Sequence, residues 1–301
     1  MQQQLLFDNI TTVDNARATR TVNVASVPQH SPFRYPGGKT WFVPTLRKWL
    51  FGKLKKPALF IEPFVGGGII SLTVAFENLA EKVLMVEIDE QVAAVWQTII
   101  NGDAKWLADK ILHFDLNREN LTKELEKRYS DCRYVAFQTI LKNRTFHGGI
   151  LADGSGIIKF GENGKGLLSR WYPVTLARRI TNINFILNKI SFRRMDGMSI
   201  IRSHAHKADV VYFIDPPYTA GGKRAGSRLY KYCDLDHEAL FRLCRSFKGD
   251  FVMTYDNSEE VLSLAKKYHF EAYPIAMKNT HHEEMTELVI GKDLSWMQKH
   301  I

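Results

Sequence analysis

Apolar and polar positions alternate along this chain with two periods. Trp41, Phe42, Leu46, Trp49 and Leu50 recur at helical spacing. Ala58-Leu59-Phe60-Ile61 is a short continuous apolar run that stops at Glu62-Pro63 and reads as a buried strand. Phe64-Val65-Gly66-Gly67-Gly68 then turns into the apolar helix Ile69 to Phe76. Lys82 to Val86 is a second strand, closed by Glu87-Ile88-Asp89, and a helix follows through Val92, Val95, Trp96 and Ile99. Strand, glycine turn, helix and acid-tipped strand form a βαβ unit, which requires a parallel sheet.

The texture changes over residues 101–185. Leu107 and Ile111, Leu121 and Leu125, and Val135 and Ile140 keep a helical period, and His147 to Gly166 is dense in Gly, Asn, Asp and Lys, the composition of exposed turns or a hairpin. Strands resume at Ile190 to Arg194 and Val210 to Ile214, the latter running into Asp215-Pro216-Pro217-Tyr218, and again at Asp250 to Thr254 and Glu287 to Ile290. Residues 1–30 are polar, without sustained periodicity, and read as a flexible or loosely docked extension. The predicted fold is α/β. One open sheet with helices on both faces, residues 31–100 and 186–301, is interrupted by a mostly helical insertion, 101–185.

Composition changes this picture in one respect. With 41 basic against 32 acidic residues the chain carries +9, a balance that suits a polyanionic partner because each neutralised phosphate releases counterions. No apolar run approaches the roughly 20 residues of a membrane helix, and no secretory leader is expected at the N-terminus. Cys132, Cys233 and Cys244 have neither metal-type nor redox spacing, which fits a reducing cytoplasm.

Three segments carry candidate chemistry. Glycines at 66–68 let the backbone turn at a strand's carboxyl end and approach a ligand closely, and an acid about 20 residues on, Glu87, suits both hydroxyls of a ribose. The turn does not spell the dinucleotide pattern, since its third position falls on Ser71, so a nucleoside without a pyrophosphate is expected. Asp215-Pro216-Pro217-Tyr218 sits where open α/β sheets bind ligands. A carboxylate and a main-chain carbonyl there can accept both hydrogens of an exocyclic base amine, and Tyr218 offers a face for a base drawn out of its stack. Tyr35-Pro36-Gly37-Gly38-Lys39 opens a helix whose first N–H groups, with the lysine amine, suit a carboxylate.

The chain resembles the adenine-specific DNA methyltransferases of the Dam type. That family has a motif ending Gly-Gly-Lys, then Glu-Pro-Phe-x-Gly-x-Gly, a target-recognition insertion and Asp-Pro-Pro-Tyr, and all four occur here in that order between about Ser31 and Asp293. Asn143-Arg144-Thr145-Phe146-His147-Gly148-Gly149, Thr254 to Ser258 and Thr286-Glu287-Leu288 resemble further family segments. The resemblance implies a Rossmann-like methyltransferase sheet, S-adenosylmethionine as cofactor and transfer to the 6-amino group of adenine. It implies cofactor contacts at Tyr35, Lys39, Glu87, Asp196 and Asp215, with Gly38, Glu62, Phe64, Gly66, Gly68 and Ile88 beside them, and a catalytic loop Asp215 to Tyr218.

Lys142, Asn143, Arg144, Lys159, Lys165 and Arg170 in the insertion, with Lys223 and Arg224 after the catalytic loop, are the candidate contacts to double-stranded DNA. Expected partners are that DNA and a cognate restriction endonuclease, the enzyme being a monomer or weak dimer in a bacterial or phage-infected cytoplasm. Cytosine's 4-amino group, an RNA adenine or a glutamine amide fits the same chemistry, and an inactive DNA-binding module is the non-enzymatic alternative. No thiolate stands in a Pro-Cys context, which disfavours methylation of cytosine carbon, and no Gly-Lys-Ser/Thr loop suggests a motor. The histidine pairs 204/206 and 281/282 read as surface residues rather than metal ligands.

Overall fold

A computed structural model describes residues 24–35, 37–152, 154–161, 164–217, 235–278 and 284–298. Seven strands form one sheet in the order β3-β2-β1-β4-β5-β7-β6. They are β1 (Leu59–Glu62), β2 (Lys82–Glu87), β3 (Ile190–Arg194), β4 (Val210–Ile214), β5 (Asp250–Asp256), β6 (Glu271–Lys278) and β7 (Glu284–Gly291). The first five are parallel, while β7 runs antiparallel to both β5 and β6. The antiparallel edge and strand β6 itself were not legible in the sequence, because Glu271 to Lys278 mixes polar and apolar residues without a clean alternation.

The central strands are apolar throughout because both faces are covered. Phe60, Val83, Met85, Val211, Phe213 and Val252 point to one layer, and Ile61, Leu84, Val86, Tyr212, Ile214 and Met253 to the other. The first layer contains helices α1 (Val43–Phe51), α2 (Ile69–Phe76) and α3 (Glu90–Thr98). Helix α2 is buried at seven of its eight positions, so it shows no polar face to read as an amphipathic pattern. Asp89 caps α3, its side chain accepting from the N–H groups of Gln91 and Val92.

The insertion is helical, as expected. It comprises α4 (Ala104–Leu112), α5 (Arg118–Glu126), α6 (Cys132–Thr145) and α7 (Pro173–Asn182). Leu107, Ile111, Phe137, Ile140, Leu176 and Ile180 join the same buried cluster as α2 and α3. Between α6 and α7 the chain forms short 3-10 turns and a single bridge, Phe146 to Ile157, rather than a hairpin.

Part of the N-terminal extension, residues 24–30, falls within the described residues. Val27 is buried in the core and the His30 ring stacks on Phe76 with centroids 4.2 Å apart, so residues 24–30 are docked rather than flexible. The polar composition left this open, since one valine and one ring-ring contact suffice to seat a short segment. Among the described residues no helix is long and apolar enough to cross a membrane, and no group of three metal-type ligands occurs.

The ring of Phe213 is fully buried, 5.3 Å from that of Phe42, and joins β4 to the turn before α1. Truncating it to alanine should cost about 3–5 kcal/mol, read as a fall in urea midpoint. A loss below about 1 kcal/mol would mean that this contact does not organise the sheet.

Candidate active site

Strand order reverses between β1 and β4, whose neighbours lie on opposite sides, and a crevice opens at their carboxyl ends. A cavity of about 330 Å³ fills it, within the range of small-molecule sites. All the predicted cofactor residues line it: Tyr35, Gly38, Lys39, Glu62, Phe64, Gly66, Gly68, Glu87, Ile88, Asp196 and Asp215, with Pro216 and Pro217 at the same wall. Tyr218, Lys223 and Arg224 lie outside the described residues.

The glycine turn is held between two aromatic side chains. A Cβ on Gly66 would stand 2.5 Å from the Tyr35 ring, and one on Gly68 would stand 2.7 Å from the Trp96 ring. Gly66 and Gly68 also have φ of +44° and +65°, a region that L side chains rarely adopt. Trp96 fixes the turn by donating its Nε1–H to the Gly66 carbonyl at 2.9 Å, and the Ser31 hydroxyl donates to the Gly67 carbonyl.

Acids dominate the cavity wall. The Glu87 carboxylate accepts three backbone N–H groups, from Gly66 (2.9 Å), Ile88 (2.9 Å) and Asp89 (3.0 Å). Burial nevertheless outweighs these bonds and pushes its pKa up to about 7. Glu62 accepts the Ser71 N–H at 2.9 Å, and burial raises it to about 8. Asp196 caps α8 (Gly197–His204), accepting from the N–H groups of Met198 and Ser199. With Asp89 and Asp215 this makes five acidic side chains, two of them (Glu62 and Glu87) raised toward their neutral form by burial, against one lining cation, Lys39, among the described residues. Such a wall favours a positively charged ligand, and the sulfonium and ammonium groups of S-adenosylmethionine meet that condition.

Lys39 is placed differently from the sequence expectation. Its ammonium lies 3.0 Å from Asp215 Oδ1 and 3.4 Å from Glu287 Oε2, and it donates to the Gly37 carbonyl at 3.0 Å. The amine thus lies among two acids and a carbonyl while still lining the cavity. Thr254 donates to the same Asp215 Oδ1 at 2.9 Å. Burial raises the Asp215 pKa, and Lys39 and then Thr254 oppose that rise. Thr254 and Glu287 lie in segments that the family resemblance had marked, but no spacing rule aims them at residue 215. Trp96, Leu151 and Ala152 are likewise structural contributors that the sequence did not single out.

Two predicted DNA contacts are corrected. Asn143 is fully buried: its Oδ1 accepts the Arg34 N–H at 2.9 Å, and its Nδ2 donates to the carbonyls of Arg34 (2.8 Å) and Gly149 (2.9 Å). Arg144 is 4% exposed and donates to the Pro32 carbonyl. This segment clamps the loop that carries Tyr35, and a motif pattern cannot distinguish a clamp from a groove contact. Lys142 is half-buried and donates to Gln91 Oε1 at 2.9 Å, Arg170 is half-buried, and Lys159 and Lys165 are exposed.

The strand order defines the class: it is an open Rossmann-like α/β sheet with an acid-lined cavity at its reversal point. Residues 35–149 match the family model of D12 class N6 adenine-specific DNA methyltransferases. The type II methyltransferase M.MjaIII of Methanocaldococcus jannaschii is 23% identical over 239 residues, which cover 72% of this chain and 79% of that protein. The chain thus resembles adenine-specific DNA methyltransferases over residues 35–149, with a more distant likeness to a type II methyltransferase over most of its length. Among solved structures it is similar to the rRNA methyltransferase aviRa from Streptomyces viridochromogenes (15% identity, 85% of each chain, TM-score 0.36). It is also similar to a precorrin-6y C5,15-methyltransferase from Geobacter metallireducens (9% identity, 83% of this chain and 84% of that one, TM-score 0.35).

Asn143→Ala should destabilise the fold by about 1–3 kcal/mol, because it strands buried backbone groups. It should weaken S-adenosylmethionine binding by loosening the Tyr35 loop, while the salt dependence of DNA binding stays unchanged. A reduced salt slope with intact cofactor affinity would put Asn143 at the DNA instead.

Proposed function

We propose that this chain is a site-specific methyltransferase that modifies the 6-amino group of an adenine flipped out of duplex DNA. Support comes chiefly from one observation: Asp215 and Pro216 open onto the same cavity as the glycine turn and Glu87. Methyl donor and amine acceptor would therefore meet at one wall.

The cofactor reading assigns Glu87 to the ribose hydroxyls, Tyr35 and Ile88 to flat apolar contact, and Asp196 to the adenine edge. Glu62 and the glycine turn face the methionine end. When bound, S-adenosylmethionine supplies an electrophilic methyl group on a sulfonium. The chain's own part is positioning. Asp215 Oδ1 is engaged by Lys39 and Thr254, which leaves Oδ2 for one amine hydrogen, and the Pro216 carbonyl takes the other. The two prolines stiffen the loop so that this carbonyl keeps its direction. Lys39 opposes the effect of burial and favours the ionised, accepting form of Asp215. In this reading Tyr218 stacks on the extruded base.

The segment 101–185 is read as the target-recognition part, with Lys159 and Lys165 as its exposed cations and Lys223 and Arg224 gripping phosphates near the base. A cognate restriction endonuclease is the partner proposed, in line with the type II name of the M.MjaIII relative.

Purified protein incubated with labelled S-adenosylmethionine and unmethylated DNA should place label in 6-methyladenine, with Asp215→Ala losing turnover by at least about 10³-fold while keeping DNA affinity. Label in 4-methylcytosine would overturn the acceptor, and label confined to RNA or protein would overturn the substrate. Ionised Glu87 is the form that accepts hydrogen bonds from hydroxyls. Cofactor affinity should therefore rise with pH through about 7 and then level off, a rise that Glu87→Gln removes. An unchanged pH profile in that variant, measured by calorimetry, would remove Glu87 from the ribose.

A further inference from the structure

A second concavity, of about 420 Å³, lies between the docked N-terminal segment and α7, lined by Pro28, Gln29, His30, Arg178, Arg179 and Asn182. Its walls carry two guanidiniums, an imidazole and two amides, and no carboxylate. Arg179 donates to the Ser31 carbonyl at 3.2 Å, and the next carbonyl, that of Pro32, takes Nη2 of Arg144. Arg144 therefore stands directly behind the Arg179 wall. It is 4% exposed, and its buried Nε has no hydrogen-bond partner.

The charges of Arg144 and Arg179 are crowded. Burial, then the like charges of Arg179 and Arg34, disfavours the charged form of Arg144. Arg179 is disfavoured in turn by burial and by Arg178. Histidines and lysines relieve such strain by losing a proton, but a guanidinium does not deprotonate in proteins. Among the described residues none of Arg144, Arg178 and Arg179 makes an ion pair, and the nearby Glu77 is engaged by Arg47 at 2.8 Å. Buried charges in folded proteins are paired, so the missing partner here is an anion. Guanidinium forks match the oxygens of a tetrahedral oxyanion, and the amides of Gln29 and Asn182 add neutral donors.

We propose that this cleft binds a phosphate group, held by Arg178, Arg179 and His30, with the charge of Arg144 behind them. Two sources share that chemistry: a backbone phosphate of the DNA substrate, and free inorganic phosphate or pyrophosphate. The first rests on the DNA-methyltransferase reading, whereas the second stands without it.

Two variants test the cleft away from the catalytic cavity. Arg178→Ala removes an exposed cation, and Asn182→Asp places a carboxylate where the anion would sit. Inorganic phosphate and pyrophosphate binding is followed by phosphorus NMR and calorimetry, and DNA binding by its salt dependence. S-adenosylmethionine affinity serves as the measure of an intact fold. A free-anion site predicts at least about tenfold weaker phosphate binding in both variants. A backbone-phosphate site predicts that Arg178→Ala lowers the slope of log K against log salt by about one. Either response with unchanged cofactor affinity supports the cleft and identifies its source. Intact cofactor affinity with neither response overturns it, and a failure to methylate DNA leaves the free-anion result decisive by itself.

Discussion

Asp215 is a carboxylate in a largely enclosed place, at the carboxyl end of a strand buried on both faces, and much of the surrounding structure answers that constraint. Its charged form loses hydration there, so the fold brings a cation and a hydroxyl to the same oxygen. The cation, Lys39, comes from the segment before β1, and the hydroxyl, Thr254, from β5. A second carboxylate, Glu287 on β7, lies against Lys39 as well. Three regions far apart in the chain thus meet at one oxygen atom, and a residue of the antiparallel edge lies against the same lysine.

The glycine turn that lines the same cavity is shaped by close approach. The glycine turn is pressed between Tyr35 and Trp96, and a side chain at Gly66 or Gly68 would overlap one ring or the other. Tyr35 is in turn held by the Asn143 clamp, which ties the loop before α1 to the end of α6. The insertion therefore has a structural part in shaping the cofactor cavity, whatever it does at DNA. This joint role also explains the continuous core: α3 and α6 share buried side chains, so the insertion is anchored on the sheet domain rather than tethered to it.

The molecule separates its charges. It carries +9 overall, yet the described wall of the cavity holds five acidic side chains and one lysine. The acidic cavity is thereby opposite in sign to the chain as a whole. The arginines beside α7 form a third region, where positive charge is crowded.

By itself the sequence determined the βαβ unit, the position of the glycine turn and the acid at the tip of β2, because these follow from local periodicity and from what glycine and proline permit. It determined the order of the motifs, and with it the resemblance to adenine methyltransferases. Tertiary structure alone decided which atoms the motif side chains address. Lys39 turned to buried acids, and Asn143 and Arg144 turned inward to backbone carbonyls, because neighbours over a hundred residues distant supply the acceptors. The β6 strand and the docking of Val27 escaped the sequence for the same reason: their stability comes from partners across the fold, and a local pattern records only what a residue prefers, not what it meets.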